Sequence, residues 1–232
     1  MVLRVRKVRR ASGATGPTGP QGIQGVQGPA GPVHQIEAAV NMGFSIDDRS
    51  GWTHIEDLAD DTCQAPIPLG FTFNGFGSST STVTVSSNGV LFFGNNCSSA
   101  LSNTALPVNI SSSAFLAFFW DDLKDYGGGE YVEYATLGSA GGRVFNMYYR
   151  MRLFSGVCAS DGIQVRLQIH EGSNIVNATY SGFSGCANIR GSEATLGFQS
   201  ANSAEGVTVS FNSPVLDDNA AFQSMSFKPR PQ

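Results

Sequence analysis

The sequence predicts an all-β protein: a β-sandwich head preceded by a short triple-helical stalk. Two observations carry this. Glycine occupies positions 13, 16, 19, 22, 25, 28 and 31 without a slip, and proline fills several positions between. Beyond residue 43 the apolar residues alternate with polar ones over many short stretches separated by Gly, Asn and Ser, the pattern of half-buried strands and tight turns. Four regions follow. They are a disordered basic arm (1–12), the stalk (13–33), a neck or linker (34–43) and the head (44–232).

The glycine period has a steric cause. Three extended chains winding round one axis leave room there only for a hydrogen side chain, so every third residue must be Gly. A flexible Gly/Pro linker keeps no such period. On Gly13, Gly16, Gly19, Gly22, Gly25, Gly28 and Gly31 the stretch resembles collagen, which implies three chains and hence a homotrimer. At roughly 3 Å per residue the rod is at most about 60 Å long. So short a rod needs neighbouring domains to hold its chains together. The arm before it carries Arg4, Arg6, Lys7, Arg9 and Arg10. It reads either as a polybasic arm or as the solvated end of a truncated or mis-started frame. No apolar h-region accompanies the charges, so a complete signal peptide is not expected here.

Charged residues make up 14% of the chain, well under the roughly 25% of ordinary soluble domains. Five of the 14 Lys and Arg fall in the first ten residues, which hold no acid; nine bases then face 18 acids, a formal −9. That balance argues against nucleic acid as a partner of the head. No apolar run reaches the length of a membrane span.

Within the head, Thr82–Gly94 carries the clearest hairpin signal. Asn88-Gly89 as a two-residue turn pairs Ser87 with Val90 and Val85 with Phe92, placing Val83, Val85, Val90 and Phe92 on one face. Phe115–Trp120 is continuously apolar, as for a strand buried on both sides. Phe145, Met147, Tyr149 and Met151 alternate with polar neighbours, and Ile163, Val165, Leu167 and Ile169 do so more cleanly. Glu171–Asn174 then turns the chain into a strand at 175–180. Further strands are expected at 131–137, 194–199, 206–211 and 222–228, about ten in all.

The succession Ile67–Phe73, Gly75-Phe-Gly77, Val83–Gly89, Phe92–Gly94 and Ala117–Leu123 resembles the nidogen-like β-modules of extracellular proteins, closest to bacterial secreted and surface forms. Gly127–Tyr131, Ile163–Ile169, Ala194–Phe198 and Val209–Leu216 fit too. The resemblance covers about 44–228. It implies extracellular or cell-surface display and an adhesive or matrix role, with no shared catalytic site.

Cys63, Cys97, Cys158 and Cys186 lack CxxC pairs, which excludes a zinc ribbon or a thioredoxin site. Two disulfides are expected instead. Of three pairings, Cys63–Cys97 and Cys158–Cys186 are preferred, because each pair flanks stretches that read as sheet neighbours.

Catalytic chemistry finds no foothold. No nucleophile elbow occurs, Gly182-Phe-Ser-Gly185 being the nearest approach. His170-Glu171 opens like a zincin helix but has Asn174 where the second histidine should stand. His34, His54 and His170 are far apart. The chain is therefore read as non-enzymatic, with no cofactor unless calcium. Asp121, Asp122 and Asp125, beside the acidic pairs Asp47/Asp48, Asp60/Asp61 and Asp217/Asp218 and the single Asp57, offer oxygen ligands for Ca²⁺. They lack the spacing of a known loop, and Asp is common in turns for local reasons. Asn96, Asn109 and Asn177 open Asn-X-Ser/Thr sequons. Expected partners are the chain itself, as a trimer or a higher fibre, and a glycan or a matrix or surface protein.

Overall fold

Strict period-two alternation forces a strand to present one face to a core, and the strand Gly162–His170 shows it without exception. Ile163, Val165, Leu167 and Ile169 are at most 1% exposed, while the residues between them are half-buried. The computed structural model describes residues 34–38, 48–55, 58–127, 129–154, 162–181, 188–216 and 223–229, with side chains for all but 34–38, Ala65 and Gln223. The arm, the Gly13–Gly31 triplets and the pair Cys158–Cys186 lie outside these residues.

The described strands are β1 (His34–Ala38), β2 (Thr53–Ile55), β3 (Cys63–Gly75), β4 (Ser78–Ser86), β5 (Val90–Phe93), β6 (Phe115–Trp120), β7 (Leu123–Lys124), β8 (Tyr131–Leu137), β9 (Val144–Leu153), β10 (Gly162–His170), β11 (Val176–Ser181), β12 (Thr195–Gln199), β13 (Gly206–Phe211) and β14 (Gln223–Pro229). They form two antiparallel sheets. One runs β1-β14-β11-β10-β9-β8-β2, with β7 paired to β9; the other runs β13-β12-β6-β5-β4-β3. Helical structure among the described residues is limited to two three-residue 3-10 turns. This is a β-sandwich. Its first described strand, β1, falls inside the stretch expected as a neck, pairing with β14 from His34↔Pro229 to Ala38↔Met225.

Between the sheets lies the main core, which includes Phe73, Phe93, Phe118, Phe145, Met147, Tyr149, Val165, Leu167, Phe198 and Phe227. Two buried tyrosines bolt the layers together across it. Tyr180 in β11 donates its hydroxyl to the Phe118 carbonyl in β6 at 2.7 Å, and Tyr149 in β9 donates to the Ser87 carbonyl. Burial pushes both phenols well above their ordinary range, so they act as permanent donors.

The β4–β5 hairpin differs from expectation by one residue. Val83 pairs with Phe93, Thr84 with Phe92 and Val85 with Leu91, so the loop is Ser87-Asn88-Gly89. Three-residue loops of this kind end on a left-handed residue, and Gly89 has φ +72°. A one-residue slip moves every side chain to the other face. Val83, Val85, Leu91 and Phe93 therefore enter the main core, whereas Val90 and Phe92 join Phe115, Ala117 and Trp120 on the outer face of the six-stranded sheet. The buried Asn88 side chain locks this alternative. Its Nδ2 donates to Asp61 Oδ1 (2.8 Å) and the Ser99 carbonyl (3.0 Å), and its Oδ1 accepts from Leu123 N (3.0 Å).

That outer apolar face is roofed by the segment 95–113. Leu106, Ala100, Val108 and Ile110 cover it, and sheet side chains grip the roof's backbone. Trp120 Nε1 donates to the Ala100 carbonyl at 2.7 Å; Gln199 accepts from Val108 N (2.6 Å) and donates to Val108 O (2.7 Å). The Cys63–Cys97 disulfide ties the same segment to the start of β3. β6 is thus buried on both faces, as its unbroken apolar run predicts. β3 carries Pro66 and Pro68, and it lies at the sheet edge, where a missing N–H costs no ladder bond.

Candidate functional site

Beneath the Asn88 turn the chain gathers carboxylates from two distant loops. Asp60 and Asp61 form the turn before β3, and Asp122 follows β6. Each presents an oxygen within 4.8 Å of the others. Lys124 Nζ lies 3.1 Å from Asp60 Oδ2, and Asp60 Oδ1 is buried without a hydrogen-bond partner. Asp122 is held above the usual carboxylate range by burial first, then by the charges of Asp61 and Asp60, with Lys124 opposing. Three convergent oxygens are the kind of donors a hard cation takes.

Only Asp122 of the three aspartates expected to share a cation lies there. Asp125 Oδ1 accepts from Gly127 N at 2.6 Å, the turn-forming role open to Asp. Asp121 Oδ1 accepts from Asp122 N at 2.9 Å, while its Oδ2 is buried without a partner. Burial, and less so the negative charge of Glu193, pushes Asp121 up to about 6. The sign follows directly. A carboxyl whose folded pKa is raised contributes stability fully below its ordinary value of 3.8 and loses it as pH rises through about 6. Asp121→Asn should therefore raise stability by ~1–3 kcal/mol near neutral pH and change little below about pH 4. Urea melts at both pH values check this; equal effects at the two would contradict it.

The outer face of the eight-stranded sheet is built differently. Alternation points Tyr148, Arg150 and Arg152 of β9 away from the core, beside Tyr131 and Glu133 of β8 and Gln164 and Arg166 of β10. The Tyr131 and Tyr148 rings stack with centroids 5.5 Å apart. The Arg49 guanidinium lies 4.2 Å from the Tyr148 centroid and reaches Glu133 Oε2 at 2.5 Å, a cation–π contact combined with an ion pair. Tyr148 donates its hydroxyl to Gln164 Oε1 at 2.7 Å. Further across the sheet, Arg166 Nη2 and Gln168 Nε2 each donate to Asn146 Oδ1 at 3.1 Å.

A family model described as NIDO related matches residues 38–232. The chain belongs to this NIDO-related family. No curated protein and no solved structure matches it. The match agrees with the nidogen-like module expected over about 44–228, and it begins at Ala38, the last residue of β1. It fixes the head as a nidogen-like β-sandwich and assigns no residue a chemical role.

Within the NIDO-related head the disulfide Cys63–Cys97 forms as expected. Of the three sequons, Asn177 is only 5% exposed and paired with His170 Nε2 at 3.0 Å, so the folded head hides it. Asn96 and Asn109 are exposed. His54 stands beside Glu133 and Tyr131 on the outer sheet face, and burial lowers the His170 pKa. Sequence reasoning missed the Arg49–Tyr131–Tyr148 stack. The alternating Tyr148, Arg150 and Arg152 mark an outward face, but nothing local shows that Arg49, about a hundred residues earlier, closes over it.

Proposed function

We propose that the chain is a non-enzymatic structural or adhesive protein of the extracellular space or cell surface, in which three chains join through a collagen-like stalk and each displays a NIDO-related head. The observation that carries the reading is the unbroken glycine period from Gly13 to Gly31 placed directly ahead of a NIDO-related module. Support for an oxidising location comes from the family itself and from the Cys63–Cys97 bridge. No helix among the described residues is long and apolar enough to cross a membrane. A second reading, a carbohydrate- or protein-binding head of a phage or virus fibre, is favoured by the arginine–tyrosine face. A third, a polymerising filament subunit, shares the stalk and differs in what the heads contact.

Gly22→Ala tests the stalk. A methyl at the crowded axis should disrupt the rod locally. The native protein is expected to show a collagen-type circular dichroism band that melts cooperatively, and the variant to lose it or melt at lower temperature. A native spectrum without such a band, or one unchanged by the substitution, would contradict the stalk.

A further inference from the structure

The two sheets part along one side of the sandwich, where the edge strand β2 faces the edge strand β3. A groove of about 260 Å³ lies in this parting. The ladders show how it is built. β2 pairs Thr53 with Tyr134 and Ile55 with Val132, and residues directly opposite share a face of the sheet. Ile55 and Val132 belong to the main core, so Thr53 and Tyr134 turn to the inner side as well. Across the groove, Gln64 pairs with Val85 and Ile67 with Val83. Three steps along β3 match two along β4, which is a β-bulge. Val83 and Val85 both enter the core, so the bulge brings Gln64 and Ile67 to one face, where plain alternation would have opposed them.

The groove is open and its polar groups are available. Ile55 and Ile67, 9% and 1% exposed, form the floor with Pro66 beside them. Thr53, His54 and Gln64 are exposed and Tyr134 is half-buried. The side chains of Thr53, Gln64 and Tyr134 make no hydrogen bond among the described residues. His54 engages only Nδ1, 3.4 Å from Glu133 Oε1. Hydroxyl, amide and phenol each both donate and accept. The volume falls below the roughly 300–1,000 Å³ of pockets that enclose drug-sized molecules, so it takes a single ring. No lining residue carries a fixed charge, so nothing there offsets the desolvation of an ion. An extended peptide fits poorly. β2 is three residues long, and Pro66 and Pro68 in β3 lack the N–H groups that strand addition uses. A neutral ring with hydroxyls at its edge and a C–H face for the isoleucines satisfies all of these conditions.

We propose that this groove binds a neutral sugar residue at the end of a glycan, held through its hydroxyls by Thr53, Gln64 and the Tyr134 phenol. The site deepens the adhesive reading of the head and rests on it. The intact protein is applied to an array of immobilised glycans ending in glucose, galactose, mannose or N-acetylglucosamine. The same array carries these glycans capped by sialic acid or sulfate, and extended peptides. Binding to at least one neutral terminus is expected, competed by its free methyl glycoside and lost on capping. Tyr134→Phe and Gln64→Ala should each weaken it about threefold to tenfold, the loss of one neutral hydrogen bond, with thermal melts unchanged. Ser139→Ala, on the exposed turn between β8 and β9, should bind as the native protein does. No binding to a neutral terminus, preference for capped glycans or peptides, or native-like binding by both groove variants would overturn the proposal. A trimer that ignores every glycan overturns the ligand and leaves the fibre standing; a monomer that binds one does the reverse.

Discussion

Gly89→Ala is expected to destabilise the head by about 4 kcal/mol or more, the range reserved for the severest single substitutions. Two separate effects add. Gly89 has φ +72°, and a residue with a Cβ pays roughly 1–2 kcal/mol to adopt that left-handed conformation. The larger effect is contact, since a Cβ there would stand 1.9 Å from the Phe119 carbonyl oxygen. That oxygen belongs to backbone that cannot easily withdraw. The Gly89 carbonyl accepts from both Phe118 N and Phe119 N at 3.1 Å, fastening the turn to β6 at the very point of collision. Gly141 is the control: it has φ +89° and nothing within 4 Å of its Cβ, so Gly141→Ala should cost only the conformational part. Urea denaturation compares the two. A Gly89→Ala loss no larger than that of Gly141→Ala would show that the turn is not locked against β6.

Removing the Cys63–Cys97 bridge, with both cysteines changed to alanine, should cost about 4 kcal/mol from loop entropy alone, given a sequence separation of 34. The bridge also has a local task. It anchors one end of the segment 95–113, which roofs Val90, Phe92, Phe115 and Trp120. In its absence the roof is held by side-chain grips such as Trp120 Nε1 to the Ala100 carbonyl and Gln199 to Val108. The expected sign is a lower denaturation midpoint, with hydrogen exchange rising first in the roof and only later in β9 and β10. Uniform exchange across the head, or a midpoint unchanged by reduction, would contradict the assigned role.

A strand with one buried face announces itself locally. β10 could be read residue by residue because its period of two has one meaning; the bounds expected for β8 and β13, 131–137 and 206–211, are also the ones observed. The β4–β5 register could not. Both faces of that hairpin are apolar, so alternation does not choose between a two-residue and a three-residue loop. The choice rests on Asn88 reaching Asp61, Ser99 and Leu123, contacts made across the fold. Asp122 illustrates the same limit in the candidate cation cluster. Its carboxylate neighbours, Asp60 and Asp61, lie some sixty residues away and are brought near only by the sandwich, whereas the adjacent Asp121 and Asp125 turn elsewhere. β3 was obscured by Pro66 and Pro68, which its edge position tolerates.

The most direct test of the fibre reading is the mass of the intact protein in solution. Sedimentation equilibrium below the melting temperature of the stalk should report a particle of three 24.5 kDa chains. A species of one chain, unchanged over the accessible concentration range, would contradict it.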